Sequence, residues 1–113
     1  MFLQQVQIDV HPGQEAAFQA GLLEVRQRVF MSPGFRGFEV ALGAERSTTY
    51  LVQVRWETLE ELTAFVETGR AAKAWAPVEE FLAREPLIDH FVEKPELGLH
   101  GPGVVTDLAW TSD

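Results

Sequence analysis

The 113-residue sequence contains no cysteine and no asparagine. Without cysteine it can form no disulfide, thiolate nucleophile, or Cys-ligated zinc or iron–sulfur site. Bases are scarce: nine Lys and Arg stand against seventeen Asp and Glu, a net charge of −8. Such a surface repels phosphate backbones and anionic lipid, so neither nucleic acid nor membrane is expected as a partner. No apolar run approaches the roughly 20 residues that span a bilayer. The opening MFLQQVQIDV lacks the basic and long apolar regions of a secretory signal, so a cytoplasmic location is expected. Two of the three histidines, His11 and His100, fall in loop-like sequence without metal-ligand spacing, and no metal site is expected.

What is present fits one soluble domain: 46% of residues are hydrophobic and 23% charged. In residues 2–10, Phe2, Val6, Ile8 and Val10 alternate with Gln5, Gln7 and Asp9, the period-2 pattern of a strand with one face in a core. Gln4 interrupts the apolar series. His11-Pro12-Gly13 ends this strand, and Phe18, Leu22, Val25 and Val29 predict a helix from about Gln14 to Met31, stopped by Ser32-Pro33-Gly34. Phe38, Val40 and Leu42, then Tyr50, Val52, Val54 and Trp56, predict an antiparallel hairpin. Thr58 with Glu61 has the spacing of a capping box and opens a second helix. Thr68-Gly69 interrupts that helix, and Pro77 predicts a break near Ala76. A last strand is expected over Leu87–Glu93, with His90 between Ile88 and Val92.

The order βαββαβ predicts an α+β, ferredoxin-like domain over residues 1–94: a four-stranded antiparallel sheet with its helices on one face. The other sheet face would carry Leu3, Leu51, Leu87 and Phe91 among Gln5, Gln7, Gln53, Glu39 and Arg55. That mixture is too apolar to stay wet and too polar for a dry core, so a homodimer packed sheet to sheet is expected. Residues 95–113 change to loop chemistry. Val104-Val105 and Leu108-Ala109-Trp110 suggest a tail docked on the domain or on the partner subunit.

Several segments, in their order, resemble the antibiotic biosynthesis monooxygenase (ABM) domain of the dimeric α/β-barrel superfamily. They are Pro12-Gly13, Gly34-Phe35-Arg36-Gly37-Phe38, Tyr50 to Trp56, Thr58 to Leu62, Trp75-Ala76-Pro77-Val78 and Ile88-Asp89-His90-Phe91. The resemblance spans residues 2–94 and implies two activities. One is cofactor-independent oxygenation of aromatic phenols, in which the protein desolvates and holds an electron-rich anion that reacts with oxygen. The other is haem degradation, whose Asn, Trp and His positions fall here at Val6, Phe65 and Trp75. All three are apolar, so haem degradation is disfavoured. The expected function is a monooxygenase, without cofactor, acting on a small planar aromatic of phenol or quinol type. The alternative is a non-catalytic dimeric small-molecule-binding or stress-response protein.

Candidate catalytic residues are His90, a possible general base, and Trp75. Candidate substrate-binding residues are Gln4, Arg36, Tyr50, Trp56 and Phe65. Trp56 and Trp75 would stack on a planar ligand, or serve simply as core. Tyr50 would offer a phenol, and Arg36 an anion contact or an interface ion pair. His90 also reads as an ordinary strand residue hydrogen-bonded at the sheet edge or dimer seam. Gln4 is the most informative: a polar side chain on an apolar face requires a partner, which a pocket ligand or water would supply.

Overall fold

The computed structural model describes residues 1–98. The expected edge strand or docked segment around Val104–Trp110 lies outside the described residues. Along the chain run β1 (Phe2–Asp9), α1 (Glu15–Phe30), β2 (Phe35–Leu42), β3 (Thr49–Trp56), α2 (Leu59–Glu67), α3 (Arg70–Trp75), a 3-10 helix (Ala76–Phe81), β4 (Leu87–Val92) and a final 3-10 turn (Pro95–Leu97). The strands form one antiparallel sheet in the order β2-β3-β1-β4. This is the ferredoxin-like α+β arrangement.

Strand register follows the hydrophobic alternation. Val6 lies opposite Val52 and Ile88, and Gln4 opposite Val54 and His90, so these even-numbered residues share the helix-covered face. Four apolar residues of α1, at spacings of 4, 3 and 4, are the buried ones on that helix: Phe18, Leu22, Val25 and Val29. Gln14 makes no side-chain cap. The helix is therefore held by its buried face, each large side chain contributing about 1.5–3 kcal/mol. Trp56, Phe65 and Phe18 are among the largest wholly buried side chains of the core between sheet and helices.

Two glycines set how closely the elements approach. Gly34, at φ +84°, turns the chain from α1 into β2, and a Cβ there would strike the Glu61 side chain at 2.3 Å. Glu61 belongs to the α2 cap: its amide donates to Thr58 Oγ1 (3.1 Å), whose hydroxyl donates to Glu61 Oε1 (3.0 Å). Gly21 lets α1 meet the 3-10 helix, where an added Cβ would lie 2.9 Å from Val78 Cγ1.

The second helical region is broken as Gly69 and Pro77 predict. Thr68 closes α2, Gly69 takes φ +83° before α3, and the chain tightens to 3-10 geometry at Ala76. These breaks limit how far the helices reach across the sheet. All six residues of edge strand β4 are exposed, including Ile88, His90 and Val92 on the helix side. The sheet's other face carries Leu3 opposite Arg55 and Phe91, and Gln7 opposite Leu51 and Leu87.

Candidate functional site

Because α3 and the 3-10 helix stop short of β4, a slot of about 210 Å³ remains between them and the sheet. Strand β1 supplies Gln4, Val6 and Ile8 along one wall, and α3 supplies Ala71, Ala72 and Trp75 along the other. Ile88 and Pro86 lie towards the open edge, and Glu79 is the one charged residue lining the slot. Ala71 and Ala72 create the room: their small side chains lie one turn before the Trp75 indole on the same stretch of helix. The volume falls below the 300–1,000 Å³ typical of drug-sized ligand sites. It suits a flat molecule of one or two rings.

Gln4 is 3% exposed. Its amide nitrogen lies 3.3 Å from His90 Nε2 on the neighbouring strand, and its Oε1 is buried without any hydrogen-bond partner. An orphaned buried acceptor costs about 1–3 kcal/mol, more than a typical hydrogen bond contributes. His90 is exposed and stands one hydrogen bond behind the slot wall, outside the lining itself.

The remaining sequence candidates lie elsewhere. Arg36 is exposed at the start of β2, where its Nε donates to Glu57 Oε1 at 2.7 Å. Tyr50 is buried under α1 and accepts from Gln19 Nε2 at 2.8 Å, beside a groove between α1 and β2. Trp56 is wholly buried, 4.7 Å between ring centroids from Phe65, and its indole nitrogen has no partner. Phe65 borders a small surface pocket with Ser32 and Pro33, on another side of α2. The fold thus brings Gln4, Trp75 and, through Gln4, His90 together, and it separates Arg36, Tyr50, Trp56 and Phe65 from them. A larger concavity of about 760 Å³, shallow and lined by Phe30, Met31, Phe35 and Phe38 with Arg26 and Arg28, lies along the opposite sheet edge. It holds no buried unpartnered polar atom.

Among the described residues no three His, Asp or Glu side chains gather as a metal site, and no helix is long and apolar enough to cross a membrane.

The family profile for antibiotic biosynthesis monooxygenases matches residues 1–77, which takes in β1 to α3 and the Trp75 wall of the slot. The chain belongs to the antibiotic biosynthesis monooxygenase family. A Bordetella bronchiseptica structure assigned to the same family superposes with a TM-score of 0.72 at 26% identity, over 82% of this chain and 97% of that one. SnoaB of Streptomyces nogalater, a cofactor-independent oxygenase, gives a TM-score of 0.71 at 12% identity, over 82% and 92%. Rv0793 of Mycobacterium tuberculosis gives 0.68 at 15%, over 82% and 94%. At the latter two identities the likeness is one of fold alone. No curated protein matches the chain in sequence. This ABM-family chain carries no asparagine anywhere, and its slot is built on a glutamine.

Proposed function

We propose that this ABM-family protein is a homodimeric, cofactor-independent monooxygenase acting on a small planar aromatic of phenol or quinol type. The observation that carries the reading is the slot: apolar walls with one indole, and a buried acceptor that no protein group satisfies. A flat ring packs against Trp75 and the β1 valine and isoleucine, beside the buried Gln4 amide. Removing the ring from water raises the energy of its anion, and dioxygen accepts the electrons. The balance needs no outside reductant: the substrate gives up four electrons and two hydrogens, one oxygen atom enters it, and the other leaves as water. Trp75 touches the substrate in this reading, and His90 acts through Gln4. Haem does not suit a slot of about 210 Å³ whose wall offers Val6 and Trp75.

The homodimer is supported by the uncovered sheet face. Leu87 is 63% exposed and Phe91 46%, and they share that face with Leu3 and Leu51. A partner's sheet packed there leaves the slot, on the helix side, open.

Oxygen uptake across a panel of anthrone-like and quinol compounds tests the oxygenase. Uptake above buffer with at least one compound is expected, and a flat response across the panel overturns the reading. A second reading is a binding protein without turnover, favoured by the lack of any ionisable group lining the slot except Glu79. It predicts a ligand that raises the melting temperature and is recovered unchanged.

A further inference from the structure

We infer that the aromatic ligand of the slot carries a substituent that leaves it past Glu79, and that Glu79 selects substituents ending in a cation over those ending in a carboxylate. This rests on the slot being the ligand site and names the compounds it takes: phenols with a basic side chain. Glu79 is then the specificity-determining residue of the site.

The slot does not end at its own mouth. A second, more open concavity of about 520 Å³ adjoins it, and Glu79, Leu82, Pro86 and Ile88 line both. A ring held in the slot therefore has an outlet for a side chain. The outer space is a built feature, because the segment that returns the chain to β4 is tied down beside it. Leu82 bridges to Val10, the Ala83 amide donates to the Asp9 carbonyl at 2.8 Å, and Arg84 Nε lies 3.2 Å from Asp9 Oδ2. These contacts fix the outer wall against the end of β1.

The two spaces differ in what they can hold. The slot, walled by Val6, Ile8, Ala71 and Trp75, would strip the water from a charged group without replacing it. A charge on the ligand must therefore lie in the outer space, with the ring inside. Of the charged residues lining the two cavities, Glu79 alone belongs to both. Arg84 and Glu85 line only the outer one. Arg84 is the one base among them, and Asp9 already holds it. Glu79 is exposed, and no salt bridge among the described residues includes it. A cation leaving the slot meets this carboxylate first, and an anion meets the same charge as repulsion. Two unit charges at such a rim alter binding severalfold, and by more where an apolar wall lowers the local dielectric.

The test uses the full-length protein and three phenols that differ at the end of a short chain: tyramine, 4-ethylphenol and 3-(4-hydroxyphenyl)propionate. At about pH 8 the phenols keep their proton, the amine is charged and imidazoles are ordinarily neutral. Binding is followed by the Trp75 indole resonance in nitrogen-15 spectra, identified by its loss in Trp75→Phe. Tyramine should bind on the order of tenfold more tightly than the propionate, with 4-ethylphenol between them. Added salt should shrink that ratio. Glu79→Gln should cut it to about threefold or less. Glu60→Gln, which removes an exposed acid from the first turn of α2, should leave it as in the wild type. Circular dichroism checks the fold of each sample. Equal ratios in the wild type and Glu79→Gln overturn the inference, as does a ratio lost equally in Glu60→Gln. Tighter binding of the propionate, or no saturable shift of the Trp75 resonance with any of the three, overturns it as well. Charge selection that persists without oxygen uptake removes the oxygenase and leaves the inference standing; oxygen uptake without charge selection does the reverse.

Discussion

Gln4 occupies a position where its neighbours in β1 predict a valine or isoleucine, and the molecule is less stable for it. Its Oε1 is shut off from water and meets no donor, so replacement by leucine should remove the desolvation penalty and raise stability by about 1 kcal/mol. Denaturant unfolding checks this through the midpoint. The same substitution should weaken polar ligands of the slot, part of whose wall Gln4 forms. A rise in stability with a loss of binding marks a group kept for a ligand, whereas a fall in stability would place Gln4 among ordinary structural residues. Trp75 and Trp56 separate by the same logic. Trp75, half-buried at the slot, should lose ligand binding on truncation to alanine and little stability, while Trp56→Ala should cost about 3–5 kcal/mol. Thermal melts of the pair, run with and without ligand, distinguish them. From sequence, Gln4 stood out because polarity on an apolar strand face is visible residue by residue. The roles of Trp56, Tyr50 and Phe65 were not, because an aromatic in the core and one in a pocket obey the same periodicity. Ala71 and Ala72 left no chemical signal at all, since what they contribute is space.

At the level of elements, period and punctuation carried most of the structure. The alternation in β1 and β3, the 4-3-4 stripe of α1, the Thr58 cap and the Pro77 break each appear where the residues place them. The junction at Gly34 shows what such patterns leave out: a glycine after proline reads as a turn, yet the residue also accommodates Glu61 from a helix 27 positions later. Gly34→Ala should therefore be destabilising twice over. The positive φ costs about 1–2 kcal/mol for a residue with a Cβ, and the collision with Glu61 pulls the acid from the Thr58 cap, for about another 1 kcal/mol. Pairing it with Glu61→Ala should relieve the 2.3 Å contacts with the carboxyl group and leave the 2.7 Å contact with the residue-61 Cβ together with the backbone strain. A double-mutant cycle on urea midpoints isolates the difference, and strict additivity would show that the two residues do not interact. The length of α3 is the element-scale feature that matters for the site. Its six residues, ended by the Pro77 region, leave the helix side of β4 uncovered and the slot open.

The whole molecule presents two unfinished surfaces on opposite sides of one sheet, and the proposed dimer and the proposed ligand would each complete one of them. The slot on the helix side is ligand-sized. The other face is far larger and mixed in character: Leu3, Leu51, Leu87 and Phe91 interspersed with Gln5, Gln7, Gln53 and Arg55, with Gln53 Nε2 donating to Gln5 Oε1 at 3.2 Å. A net charge of −8 makes two copies repel at long range, so association must come from short-range burial. A standard interface of about 1,600 Å² in total suffices when its centre is apolar and its polar groups pair. Sedimentation at micromolar concentration should give twice the 12.7 kDa chain mass. Leu51→Glu tests which face is used. Leu51 stands on the open face opposite Gln7 and Ala41, so the carboxylate is harmless to a monomer's core but unpaired inside a sheet-to-sheet interface. The variant should sediment near one chain mass while retaining its circular dichroism. A dimer undisturbed by Leu51→Glu would move the interface to another surface, and the apolar concavity along α1 and β2, with Phe30 and Met31 at its rim, would be the next to probe.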